Sequence, residues 1–499
     1  MNYFSHFVLT ERKIVFKIFI ILGFLISWSS LATNISDITT IVSTNKISLT
    51  LLVNFLRSIA VVIYFLSILF FYILFYKKIN FEIKNKIFYL LFFLYFLLQI
   101  PGLLLTDNSL NNIYYIISSL NIILILNLAL DFFDKSEIKL FSYISFFFLF
   151  SIFFVFFIKD LHTFLFYKGS FYSNFSDTAF VLNKLSPRSS GMSRTAILLL
   201  LFFTMFAYNL KKKYFRYIII LFFSTIVFLY QSRTSLGLLF GVVILEIFFM
   251  QKYNFKSILK KLSFFLIIPF IIFTSITLIK SSILLNKMIN EKMIFLDFCS
   301  PILNHKIQHY LYDKAVINNC WNVNDLLPDV IIIKSSTSPV ETIKSKLSHT
   351  HEISEIRHKL IRNKQINFSS NRFDDWSAII NLFANNKNIS FLLFGAGSQA
   401  DRFLIDQTAS NGLIYALVSS GSVGLAFLIL SLILLLFKVF FLVSSNKNLL
   451  LKNSQYTYII IILVLLARST LETSFAVFGI DFMLLITSVA IIQKKTSDN

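Results

Sequence analysis

Four arginines stand at or just inside the edges of long apolar runs: Arg188, Arg194, Arg233 and Arg468. A guanidinium near hydrocarbon is costly, so an intramembrane arginine is a functional candidate by default. Its planar fork of N–H donors is also the side chain best suited to gripping phosphate. Residue type and place together point to a lipid-linked, phosphate-bearing substrate.

The local contexts refine this. Arg233 lies in Tyr230-Gln231-Ser232-Arg233-Thr234-Ser235, a tiny turn between two spans that restrains its head. The structural alternative is a snorkelling interface arginine. Arg188 and Arg194 bracket Gly191 at the mouth of a span. Glycine permits close backbone approach to a ligand, and two cations near the Arg233 turn could cradle a diphosphate. Arg468 lies deeper, with Glu472 four residues on, and an intrahelical ion pair would lower the cost of burying both. Arg57, in the second span, is a weaker candidate. Late in the chain come Asn371-Arg372-Phe373-Asp374-Asp375-Trp376, Gly395-Ala396-Gly397, Asp401-Arg402 and Ser410-Asn411. The Gly-x-Gly is too short for a nucleotide loop and follows no βαβ pattern, so its expected work is a tight turn back to the membrane. Asn411 can cap a helix. Asp401 and Asp406 are carboxylates expected near the outer rim, where an acceptor hydroxyl could be deprotonated.

These residues need a membrane scaffold. The 499-residue chain is 56% hydrophobic, 17% aromatic and only 14% charged, the profile of a polytopic membrane protein. Its 61 phenylalanines reflect compositional bias and carry no functional weight individually. Apolar runs of spanning length fall at 15–33, 49–76, 87–105, 112–131, 140–158, 194–210, 214–231, 234–251, 262–280, 411–441, 457–473 and 474–493. A span needs about 20 residues. The expected fold is an all-α polytopic membrane protein of about 12 transmembrane helices. It divides into an N-terminal bundle at 1–280, a large periplasmic loop at 281–410 between the ninth and tenth helices, and C-terminal helices at 411–499. The pair 457–493 also admits one span plus a re-entrant piece, because Arg468, Glu472 and Asp481 interrupt it. The first run follows Arg12 and Lys13 and is long enough to span, so it is expected to be retained rather than cleaved.

Orientation follows from the loops. Lys77, Lys78, Lys84, Lys86, Lys211, Lys212, Lys213, Arg216, Lys252, Lys256, Lys260, Lys261, Lys438, Lys447, Lys452, Lys494 and Lys495 share one side. The alternate loops at 34–48 and 106–111 hold almost no basic residues, so both termini are expected in the cytoplasm. The net charge of +21 is explained by these loop lysines rather than by nucleic acid. Cys299 and Cys320 both fall in the large loop, where a disulfide and two separate thiols are equally open. That loop also holds His305, His309, His349, His351 and His358. Only His305 and His309 have helical i, i+4 spacing, without an HExxH motif, which disfavours a zinc hydrolase. The chain has no P-loop, which argues against an ATP-driven pump. No internal repeat of the kind expected in a flippase is apparent.

With these residues in hand, the chain resembles the O-antigen polymerase and ligase superfamily, the Wzy/WaaL-type membrane glycosyltransferases. The matching pieces are Arg188-Ser189-Ser190-Gly191 with Arg194, Ser232-Arg233, Arg372 to Trp376, Gly395-Ala396-Gly397, and Ser410-Asn411 followed by Gly421 and Gly424. The resemblance implies a metal-independent enzyme without cofactor in a bacterial inner membrane. Its donor would be an undecaprenyl-diphosphate-linked oligosaccharide, transferred to an acceptor sugar hydroxyl. It implies Arg233, and Arg188 or Arg194, as groups that neutralise the leaving diphosphate; the family's histidine base is missing here, which leaves the base unassigned, with Asp401 the first choice and His358 the second. Gly191, Arg372, Arg402, Asn411 and Arg468 would bind substrate. Membrane lipids and a chain-length regulator are the expected partners. Ligases of this family carry a histidine where this chain has Ser410, which favours a polymerase over a ligase.

Overall fold

The computed structural model describes residues 2–31, 49–75, 83–105, 109–134, 136–166, 189–209, 213–248, 255–291, 372–401, 409–445 and 455–497. They are helical throughout, and no strand occurs among the described residues. The helices are α1 (Asn2–Ser30), α2 (Leu49–Phe75), α3 (Ile83–Leu97), α4 (Ser109–Phe132), α5 (Lys139–Phe166), α6 (Ser189–Asn209), α7 (Lys213–Leu229) and α8 (Arg233–Phe248). They continue with α9 (Phe255–Leu262), α10 (Ile268–Glu291), α11 (Arg372–Ala384), α12 (Ile389–Phe394), α13 (Gly412–Ser445), α14 (Gln455–Ser469) and α15 (Ile480–Ser497). A π-helical stretch, Ser263–Ile267, joins α9 to α10.

Five described segments are long and apolar enough to cross a membrane: Lys86–Leu103, Ile113–Phe132, Lys139–His162, Ile258–Ile279 and Gly412–Ser444. Shorter apolar helices run at Ile14–Ser30, Phe55–Phe71, Ser190–Thr204, Tyr214–Leu229 and Tyr456–Ser469. The membrane reading therefore stands on the helices themselves. Much of the large loop, including both cysteines, the histidines from His305 to His358, Asp406, and the helical spacing at 340–364, lies outside the described residues.

The core is built around α15. Every residue from Asp481 to Gln493 is buried. A helix apolar on all sides belongs at the centre of a bundle. Phe482 packs against Phe92 and Phe96 of α3, and Lys494 at the other end of α15 donates to the Leu130 carbonyl of α4. The region 457–493 is thus two helices, α14 and α15, separated by a turn and a short 3-10 helix, Ser474–Ala476.

The start of α13 is broken. Gly421 has φ 67 and ψ −168 within an otherwise continuous helix. Unbroken, the 33-residue segment Gly412–Ser444 would be about 50 Å long at about 1.5 Å per residue, well beyond a hydrocarbon core of about 30 Å. The break frees carbonyls, and Ala396 and Gly397 supply the missing donors: Ala396 N–H reaches the Val418 carbonyl at 2.8 Å, and Gly397 N–H reaches that of Ser419 at 3.0 Å. Unwound backbone at membrane depth persists only when so satisfied. A Cβ at Gly421 would lie 2.3 Å from the Leu393 carbonyl, and one at Gly395 would lie 2.5 Å from the Val418 oxygen. Gly395-Ala396-Gly397 therefore does make the tight return expected of it, with φ 71 at Gly395 and 86 at Gly397.

Candidate functional site

Arg194 sits in the second turn of α6, Arg468 at the end of α14 and Asp481 at the start of α15. The three helix ends meet. Arg194 Nη1 stands 3.1 Å from Asp481 Oδ1, and Arg468 Nη1 donates to Asp481 Oδ2. Ser474 adds a hydroxyl donor to the same Oδ2 at 2.9 Å. The carboxylate is 2% exposed, Arg468 7% and Arg194 18%. One buried carboxylate against two guanidiniums leaves a surplus positive charge, and Arg194 is the more open of the pair. Its buried Nε completes no hydrogen bond among the described residues. Gly191, one turn away, receives the Thr195 hydroxyl on its carbonyl at 2.8 Å, and a Cβ there would come 3.8 Å from Arg194 Nη2.

Arg468 does not pair with Glu472 as its i, i+4 spacing suggests. Helix α14 ends at Ser469, so the two side chains leave the shared face. Glu472 turns instead to Arg372, the first residue of α11, at 3.3 Å. Arg372 Nη1 also donates to the Leu471 carbonyl at 2.8 Å. Arg372 thereby ties the start of α11 to the turn between α14 and α15.

Asn411 completes this rim. Its Oδ1 accepts from Leu413 N–H at 2.9 Å and Ile414 N–H at 3.1 Å, capping α13, while its Nδ2 donates to the Thr470 carbonyl at 3.0 Å. Gly412 beside it lets α13 approach the end of α14, since a Cβ would meet Ser469 at 3.3 Å. Trp376 of α11 donates from Nε1 to the Ala409 carbonyl at 2.7 Å.

Asp401 is not at the open rim, where its place in the sequence would put it. It is 2% exposed, and its Oδ2 accepts Ala409 N–H at 2.7 Å. The chain folds back over it because Gly397 turns tightly and the Tyr415 hydroxyl accepts Gln399 N–H at 2.9 Å. Tyr95 lies close enough to feel the Asp401 charge, and its own hydroxyl donates to the Ala476 carbonyl in the turn before Asp481.

Arg233 opens α8 and is exposed. The turn before it is held by Tyr230, whose hydroxyl donates to Asp160 Oδ2 at 2.6 Å, and Gln231 takes φ 49 to make the reversal. Arg188 and Arg402 lie outside the described residues.

Two carboxylates matter here: Asp481, named from sequence only as a charge interrupting the last apolar run, and Asp160, not named at all. The signal was available: each is an acidic residue within or at the edge of an apolar run, the same rule that flagged the arginines. No family model, curated protein or solved structure matches the chain, so the arrangement is read from its own geometry.

Proposed function

We propose that this chain is a bacterial inner-membrane polymerase of O-antigen or exopolysaccharide repeat units, taking its donor glycan from undecaprenyl diphosphate. The observation that carries this reading is the convergence of Arg194 and Arg468 on the single carboxylate of Asp481. Surplus guanidinium charge in a low-dielectric setting is what a departing diphosphate requires. The lysine bias supports a reading with this end of the bundle outside the cytoplasm and both termini inside.

In the proposed step, an acceptor sugar hydroxyl attacks the anomeric carbon of the donor. The bond from that carbon to the diphosphate oxygen breaks, and the electron pair leaves with the lipid diphosphate. Asp401 takes the hydroxyl proton once the acceptor displaces the fold-back through Ala409 that covers it. Arg194 receives the developing phosphate charge, with Arg233 and Arg188 as the further arginines assigned to it. Arg468 stays on Asp481 and fixes it. Arg372, Asn411 and Gly191 shape the rim on which the glycan lies, and Arg402 is the further residue assigned to binding it. No metal and no nucleotide enters this scheme. The serine at 410, in place of a histidine, supports a lipid-linked acceptor over lipid A core.

A deletion strain tests the reading. Single repeat units on lipid A core are expected; long chains stranded on the carrier would instead assign a ligase, and unflipped units on the cytoplasmic face a flippase. Complementation with Arg194→Lys separates charge from geometry. Lysine keeps the charge and loses the fork, so restored full-length chains would remove Arg194 from diphosphate binding.

A further inference from the structure

At the other end of the bundle a second set of cations gathers, and it plays no part in the chemistry proposed above. Glu246, near the end of α8, is buried. Arg216 of α7 reaches its Oε2 at 3.2 Å and Lys261 of α9 reaches the same atom at 2.6 Å. Lys261 also donates to the Glu246 carbonyl at 2.8 Å. Lys260 stands over the Tyr217 ring at 4.4 Å, and Tyr217 packs on Phe264 of the π-helical stretch at 4.5 Å. Lys256, one turn before Lys260 on α9, is exposed, as is Lys260.

Helices α7, α8 and α9 contain one acidic residue, Glu246. Among the described residues of these three helices, that one carboxylate stands with Arg216, Lys256, Lys260 and Lys261. The surrounding surface is apolar and aromatic rather than polar. Tyr214 is 87% exposed, Phe255 77%, Leu259 48% and Phe215 44%. Helix α9 is short and basic, and its π-helical exit leads into the apolar segment Ile258–Ile279. Cations beside exposed rings, at the mouth of a span, are placed at headgroup depth.

We propose that this corner binds the headgroup of an anionic phospholipid. The phosphodiester would lie between Lys256, Lys260 and the open side of Arg216, with Tyr214, Phe255 and Leu259 against its acyl chains. Charge complementarity selects the lipid: a zwitterionic headgroup brings its own cation to the site, and a free phosphate leaves the apolar flank uncovered. Lys261 serves the protein, through Glu246, rather than the lipid. The inference does not rest on the glycan reading and stands or falls separately.

The test uses the full-length protein purified in a neutral detergent, with thermal unfolding followed as short-chain phosphatidylglycerol, phosphatidylcholine or inorganic phosphate is added. Phosphatidylglycerol is expected to raise the melting temperature and the other two to leave it unchanged. In the double variant Lys256→Gln/Lys260→Gln the apparent affinity should fall about fivefold per lysine removed. The effect should shrink at about 1 M salt, where screening acts within about 3 Å. Arg216 and Lys261 are left intact so that Glu246 stays paired and the variant folds. Equal stabilisation by phosphatidylcholine, an equal effect of inorganic phosphate, or a double variant that responds like the parent would each overturn the proposal.

Discussion

The Tyr230 hydroxyl donates to the Asp160 carboxylate at 2.6 Å, joining the turn before α8 to the end of α5 across 70 residues of chain. Both residues are buried, at 1% and 3% exposure. The bond fixes where α8 begins, and therefore where Arg233 stands.

Tyr230→Phe keeps the ring and removes the donor. A buried hydrogen bond to a charged group contributes about 1.5–3 kcal/mol. The variant is expected to unfold at lower temperature by that order in detergent, and cells carrying it should make shorter polysaccharide. Unchanged stability would show that the turn is held by other contacts.

Asp481→Asn should be more damaging. It leaves Arg194 and Arg468 facing each other without their counter-ion. Removing one partner of a buried ion pair costs about 3–5 kcal/mol. Replacing Arg468 and Asp481 together with Met and Leu should cost less than the two single changes summed. Chemical unfolding of the four proteins measures this, and strict additivity would contradict the shared ion pair.

Among the glycines the expected order is clear. Gly421→Ala places a Cβ 2.3 Å from the Leu393 carbonyl at a φ of 67. Strain of this kind costs about 1–3 kcal/mol before any clash is counted. Gly237 and Gly241, in α8, have nothing within 4 Å of an added Cβ. Alanine at either should stabilise α8 by up to about 1 kcal/mol. Melting temperatures of the three single variants decide it; a Gly421→Ala protein as stable as the other two would argue that the break in α13 is absent in the membrane.

Asp401→Asn keeps size and burial while removing the negative charge. Chain elongation is expected to stop, with the protein still present at normal levels in the membrane. Elongation that continues would leave Asp401 as a tether for Ala409 and no more.

Reporter fusions at Lys78 and Lys212 are expected to report cytoplasm, and one at Lys334 periplasm. A fusion at Lys212 that reports the outside would invert the bundle and move the Asp481 cluster to the cytoplasmic face.

Helical architecture was legible because apolar runs of spanning length announce themselves. The arginines could be found for the same reason: charge is conspicuous against hydrocarbon. Their partners were harder. Sequence proximity favoured Glu472 for Arg468, yet the helix ends between them, and Asp481 is brought in by the following turn. Helix termination depends on tertiary packing, here Gly412 against Ser469 and Arg372 on Leu471, which no local pattern contains. Asp401 shows the same limit. Its place at the end of a hydrophilic loop suggests exposure, and only the fold-back through Gly397 and Tyr415 buries it. Asn411 was readable as a cap because its partners are its own next neighbours; the hydrogen bond to Thr470 was not.

The interruption at Gly421 bears on how this protein is made. An insertion machinery reading residues as they emerge meets a single greasy stretch far longer than one bilayer crossing. The amides of Ala396 and Gly397, synthesised earlier, hold the carbonyls of Val418 and Ser419 where the helix breaks. Shortening the chain near Gly395 is therefore expected to undo the break in α13 by removing the donors that satisfy it.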